Sequence, residues 1–380
     1  MNLQQRYAEA LEDRKSGNLF RMLPEDEITG IDFTNNDYLC LTRHPVVIES
    51  VLKSVDDWGT GGKASRLLGA EAQLARDLES RIADAKSVGG RALVFTSGFQ
   101  LNHSVVKTLL NEKILGHPPQ VFADKLIHAS LHSGIDAAGV RQIRFRHNDL
   151  DHLESLLVEK GNPRSPKFVF VESIYSMDGD LADLQRLYAL KAKFQFFLYV
   201  DDAHAIGVTG NDGVGLATHG ENQADLVVGT FSKSLASSGG FVVASKSAID
   251  LIVNFAAGFI YSTTPAPPTL AAAKAALNLL PELTKERDHL NRLAGILRSE
   301  LRNHSIEVGN SRSQIVPVMI GDSARAMHVT QQLADRNLHV SCIRPPTVPP
   351  NSARLRVSLN SGHTEQDVRK LCESLIQLGV

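Results

Sequence analysis

Phe196-Phe-Leu-Tyr-Val200-Asp201-Asp202-Ala203-His204 joins five unbroken apolar residues to two carboxylates and a histidine. An apolar run of this kind, bounded by polar residues, is the pattern of a strand covered on both faces, and such strands belong to parallel sheets. Ligands in open α/β sheets bind off the carboxyl ends of the strands. Asp201 and His204 stand three residues apart, so both can point to one side of a turn.

Outward from that strand, short apolar runs alternate with helical patterns. Ile31-Asp-Phe33, Ala92-Leu-Val-Phe95, Gln120-Val-Phe122, Phe168-Val-Phe-Val171, Leu226-Val-Val228 and Gly240-Phe-Val-Val243 are expected strands. Helical spacing marks the first twenty residues, His44 to Trp58 with Pro45 in the first turn, and Glu71 to Ala85 after a glycine-rich loop from Gly59 to Gly69. The alternation predicts an α/β protein with a mainly parallel, doubly covered sheet. Pro265-Ala-Pro-Pro268 is an expected break, followed by one long helical stretch from Leu270 to about His304. Ile315-Val-Pro-Val-Met-Ile320 and Arg354-Leu-Arg-Val-Ser-Leu359 are further strands. The expected division is an N-terminal segment 1–44, a large domain 45–270 and a smaller C-terminal α+β domain 271–380, with a ligand site at the domain seam.

The 380 residues are 43% hydrophobic and 22% charged, ordinary for a globular protein of two domains. A net charge of −2 gives no electrostatic case for nucleic acid or for an anionic membrane surface. No apolar stretch reaches about 18 residues and the N-terminus is polar, so neither a membrane span nor a signal peptide is expected. Cys40, Cys342 and Cys372 are far apart and odd in number, which fits ordinary thiols in a reducing cytoplasm and offers no zinc spacing.

Four segments carry potential chemistry, each at the expected carboxyl end of a strand. In Thr230-Phe-Ser-Lys233-Ser-Leu-Ala-Ser-Ser-Gly-Gly240 a lysine sits among hydroxyls and small residues. Lysine is the amine that forms imines with carbonyls, and Thr230 and Ser232 can hold a phosphate; a surface lysine is the plain alternative. Asp201 can cap a helix, or it can keep a pyridine-type ring nitrogen protonated, as pyridoxal phosphate (PLP) requires to act as an electron sink. Phe95-Thr-Ser-Gly98-Phe99 has the strand, turn and helix start of an anion site. His128-Ala-Ser-Leu-His132 has the i, i+4 spacing that would put two imidazoles on one helix face. No third metal ligand is near, so no metal is expected; a ring lying on a flat cofactor suits His128 better.

Together with Asn35-Asn-Asp-Tyr-Leu39, Ser173-Ile-Tyr-Ser-Met-Asp-Gly-Asp180, Phe259-Ile-Tyr-Ser-Thr-Thr264 and Ile343-Arg-Pro-Pro-Thr-Val-Pro349, these segments resemble the α-oxoamine synthases. The resemblance runs in order from about Tyr7 to the C-terminus. It implies the aspartate-aminotransferase-like fold (fold type I) and PLP as cofactor. It implies that Lys233 carries PLP, that His128 stacks on its ring, and that Asp201 partners the ring nitrogen. His204 and Ser176 match positions around the ring hydroxyl, and Gly98, Phe99 and Thr230 positions near the phosphate. Arg21 and Thr347 match substrate contacts; Asn36, Glu172 and Arg344 lie in motifs around the amino-acid site. The implied reaction condenses L-alanine with a pimeloyl thioester, carried by CoA or acyl carrier protein, with loss of CO2. The alternative is a sister activity using glycine, serine or another amino acid and a different thioester. A cytoplasmic homodimer is implied, with the 261–264 segment of one subunit near the phosphate of the other. Cys40, Ala205 and Ala236 stand where the family commonly has glycine.

Overall fold

The computed structural model describes residues 2–23, 28–69 and 72–380. Glu71, the expected first residue of a helix, lies outside the described residues; the helix is described from Ala72 to Lys86. In chain order the strands are β1 (Ile31–Phe33), β2 (Arg91–Phe95), β3 (Gln120–Asp124), β4 (Gln142–Phe145), β5 (Lys167–Glu172), β6 (Phe197–Asp201), β7 (Leu226–Thr230), β8 (Gly240–Ala244), β9 (Ile315–Gly321), β10 (Leu338–Ile343) and β11 (Ala353–Ser358).

The larger of two compact units comprises Asp37–Ser176 and Leu181–Asp288. Its seven-stranded sheet has the order β2-β8-β7-β6-β5-β3-β4. The five strands from β7 to β4 run parallel, as the apolar runs imply. β8 runs antiparallel to both β7 and β2. That reversal has a simple cause: residues 231–239 are too few to form the crossover that a parallel neighbour needs. β4 was not foreseen, because it is an edge strand with polar residues rather than an apolar run.

Both faces of this sheet are covered, and the pleat decides which side chain goes where. Along β5, Phe168 and Phe170 join the core beneath helices Gly98–Leu109, Ala129–Ala137 and Lys246–Phe255. Val169 and Val171 join the opposite core with the leucines of helices Leu150–Lys160 and Leu184–Phe194. Each such side chain, fully buried, contributes about 1.5–3 kcal/mol. Helices Pro45–Trp58, Ala72–Lys86 and Pro267–Leu279 cover the β2–β8 end.

The expected continuous helix from Leu270 is instead two helices, Pro267–Leu279 and Thr284–Asn303, separated by a 3-10 turn at Leu280–Glu282. Pro281 lacks the N–H that would continue the ladder. Pro267 and Pro268, expected as a break, form the first turn of the earlier helix, where their missing donors would be unpaired in any case.

The second unit comprises Met1–Asn36, Met177–Asp180 and His289–Val380, and so includes N-terminal residues. Its sheet has the order β1-β10-β11-β9, with β1 and β10 parallel and the remaining pairs antiparallel. The short Met177–Asp180 excursion is fastened there by an Asp178–Arg354 ion pair and by Gly179 O, which accepts from the Arg312 and Ser313 amides. Among the described residues no helix is long and apolar enough to cross a membrane.

Candidate functional site

Three neighbouring parallel strands end together. Glu172 closes β5, Asp201 closes β6 directly opposite it, and Thr230 closes β7. The helix start after β2 and the loop after β7 complete a cavity of about 270 Å³. Nine residues singled out in the sequence line it: Gly98, Phe99, His128, Glu172, Asp201, His204, Thr230, Ser232 and Lys233. Ser176 lies buried against Glu172, its amide donating to Glu172 Oε2 at 3.2 Å.

The helix Gly98–Leu109 opens this cavity with its N-terminus. Ser97 caps it, accepting the Gln100 amide at 3.1 Å, and the first-turn amides carry the positive end of the helix dipole. Thr230 faces the same corner. Its Oγ1 lies 2.8 Å from Ser232 Oγ, accepts the Ser232 amide at 3.2 Å and donates to Gly239 O at 2.8 Å. This corner therefore offers backbone amides to an anion, with the Ser232 hydroxyl beside them.

At the other end the floor is acidic. Asp201 accepts from Asn102 Nδ2 at 2.8 Å and from the Ala203 amide at 3.1 Å. Asn102 also donates to Ser130 Oγ at 3.0 Å, while its Oδ1 accepts from Tyr199 Oη at 2.6 Å. His128 is the N-cap of helix Ala129–Ala137 rather than a member of it, so it does not share a helix face with His132. His132 Nδ1 instead lies 2.8 Å from Gln142 Oε1. Protein packed around the His128 ring penalises its charged form and holds its pKa below the usual value, against the nearby Asp201 charge. His204 Nδ1 is 2.8 Å from the buried Tyr38 hydroxyl.

Burial, reinforced by the Asp201 charge, pushes the Glu172 carboxyl well above the usual range. Its Oε1 is buried without a hydrogen-bond partner. Asp202 points away from the cavity into a separate buried network. Its Oδ2 pairs with Lys86 Nζ at 2.5 Å, and its Oδ1 accepts from Ser173 Oγ and the Leu216 and Ala217 amides. The two adjacent aspartates thus have different work: one closes the core, the other faces the cavity.

The remaining predicted residues belong to the second unit. Arg21 donates to Thr347 Oγ1 at 3.3 Å. Arg344 donates to the carbonyls of Asn18 and Phe20. Asn36 Oδ1 accepts from the buried Arg356 at 3.1 Å. Sequence reasoning passed over Arg356, Asn102, Ser130 and Tyr199. The available signal was a polar Asn102 between Leu101 and Val105 on an otherwise apolar helix face, one turn after Gly98.

An amine at Lys233, an anion corner at Gly98 and Thr230, a firmly held carboxylate at Asp201 and a flat ring at His128 match the aldehyde, phosphate, ring nitrogen and ring face of PLP. Fold and site together define a PLP-dependent enzyme of fold type I. The chain belongs to the class I and II aminotransferase family, whose profile matches residues 28–375. It is 43% identical over 347 residues to 8-amino-7-oxononanoate synthase of Gluconacetobacter diazotrophicus, covering 91% of this chain and 87% of that one. Serine palmitoyltransferase from S. paucimobilis, solved with PLP and myriocin bound, superposes with a TM-score of 0.89 at 26% identity, covering 100% of this chain and 98% of that one. The 8-amino-7-oxononanoate synthase of Francisella tularensis superposes with a TM-score of 0.79 at 26% identity, covering 92% and 98%.

Proposed function

We propose that this protein condenses L-alanine with a pimeloyl thioester to give 8-amino-7-oxononanoate, CO2 and the free thiol, the reaction of biotin biosynthesis for which its relatives are named. The observation that carries the mechanism is the convergence of Lys233, Asp201 and His128 on one cavity. When bound, PLP supplies a conjugated ring that accepts the electrons left at the substrate Cα.

Lys233 would hold the cofactor through its side-chain amine, and the same amine, when free, would take the substrate Cα proton and later return one. Asp201 would hold the proton on the ring nitrogen, and its two donors, Asn102 and Ala203, keep the carboxylate aimed. His128 presents a neutral ring to the cofactor face, so no repelling charge is added there. Gly98, Phe99 and Thr230 would hold the phosphate; His204 and Ser176 would serve the ring hydroxyl. Glu172, Asn36, Arg21, Arg344 and Thr347 bind the substrates. The acyl carrier is CoA or acyl carrier protein, and the functional unit is a homodimer.

Two measurements test this. Borohydride reduction of the holoenzyme should fix the cofactor to Lys233, and a modified peptide containing another lysine would refute that role. Turnover with L-alanine and pimeloyl thioester, followed by mass spectrometry, should yield the aminoketone. Alanine should be preferred over glycine by roughly 10–200-fold, the range one methyl allows. A preference for glycine or serine in kcat/KM would point to the sister activity instead.

A further inference from the structure

Every hydrogen-bonding group between Asp201 and His128 has a definite direction. Asp201 is an acceptor, so the Asn102 amide must turn its NH2 toward it, leaving Oδ1 for the Tyr199 hydroxyl at 2.6 Å. The second Nδ2 proton goes to Ser130 Oγ at 3.0 Å. Ser130 Oγ can accept that proton and still donate its own, and His128 Nδ1 lies 2.7 Å away. The Ser130 backbone amide also donates to that nitrogen, at 3.2 Å. His128 Nδ1 is thereby an acceptor twice over, and a neutral ring must carry its proton on Nε2. Asn102, Ser130 and Tyr199 are all buried, with exposures of 4%, 0% and 0%, so water offers no substitute partners.

The geometry points to Asn102 as a positioning residue that, through Ser130, ties the aim of the Asp201 carboxylate to the tautomer of the His128 ring. One amide thus orders two groups that meet the cofactor from different directions. This inference deepens the reading above and rests on Asp201 and His128 meeting PLP there. It differs from simple core satisfaction in what it demands: loss of the amide must be felt at the distant imidazole and not only in stability.

The test uses four single variants, Asn102→Ala, Ser130→Ala, Tyr199→Phe and Asp201→Asn. Two readouts apply to each: the PLP dissociation constant of the apoprotein, and ring 15N shifts of histidine-labelled apoprotein, with His128→Asn to assign the signal. Wild type should show the Nε2–H form. Asn102→Ala should weaken PLP binding roughly ten- to a hundredfold, the scale of one buried hydrogen bond to a charge, and should release a population with Nδ1 protonated. Tyr199→Phe removes a neutral donor and should weaken PLP binding by roughly two- to tenfold, which keeps the test open should Asn102→Ala fail to fold. Ser130→Ala should alter the tautomer while changing PLP affinity less than Asn102→Ala does. If Asn102→Ala and Tyr199→Phe fold and leave both readouts at wild-type values while Asp201→Asn weakens PLP binding, the inference is wrong and the site assignment stands. If Asp201→Asn also leaves PLP binding unchanged, the assignment of Asp201 falls with it.

Discussion

Glu172 shows how a single residue can be governed by its neighbour. It faces Asp201 across adjacent strands, and Asp201 has two firm donors where Glu172 has one. The proton therefore resides on Glu172. A carboxyl whose folded pKa is raised stabilises the fold fully below its unfolded value, and that contribution is lost as pH rises through the folded value. Glu172→Gln keeps a neutral side chain of similar shape. Thermal unfolding of the two apoproteins should therefore show the variant gaining on wild type as pH rises from about 4.5 upward. A pH-independent difference would contradict the buried-proton account. Ala236 and Cys40 offer a second case. Both stand where the family commonly has glycine, and both adopt left-handed backbone, with φ of 52° and 55°. That conformation costs a side-chain-bearing residue roughly 1–2 kcal/mol, of which glycine's extra chain entropy recovers roughly 0.5–1 kcal/mol. Ala236→Gly should leave the melting temperature unchanged or raise it; a clear drop would mean the Ala236 methyl matters more than its backbone.

Among the elements, β7 is buried along its whole length. It lies between β6 and β8 and delivers Thr230 to the cavity. A Cβ at Gly229 would sit 2.2 Å from Ile206 Cδ1 and 2.5 Å from Phe241 Cζ. Gly229→Ala must therefore shift the strand or both side chains. The expected result is a loss of about 1–3 kcal/mol in urea unfolding together with weaker PLP binding, since Thr230 is the next residue. Unchanged PLP affinity in a destabilised variant would show that the phosphate corner does not depend on this strand's position. Most elements were legible in the sequence because their cause is local: continuous apolar runs for β5 to β7, a small-residue turn before Gly98, Pro45 in a first turn. β4 and β10 were not, because edge or half-covered strands lack such a run.

For the whole molecule, the large unit leaves apolar side chains in water. Leu52 and Trp58 on one helix, Leu68, and Tyr261 at 85% exposure are the clearest examples. Large apolar side chains left this exposed are candidates for an association surface, and a closed two-fold pair is the commonest arrangement. Sedimentation should give twice the 41.4 kDa chain mass, and a fully active monomer would overturn the dimer proposal. Sequence alone determined the α/β fold with its mainly parallel sheet and the acids and small-residue turns at strand ends, because each follows from short-range pattern; Lys233 was singled out by the family resemblance of its segment. Only the tertiary structure decided that Asp202 turns into a buried network with Lys86, why β8 reverses, and that Asn102, Ser130 and Tyr199 join Asp201 to His128. Those outcomes depend on which side chains from distant segments share one buried volume, where every donor must find an acceptor, and no local pattern encodes that pairing.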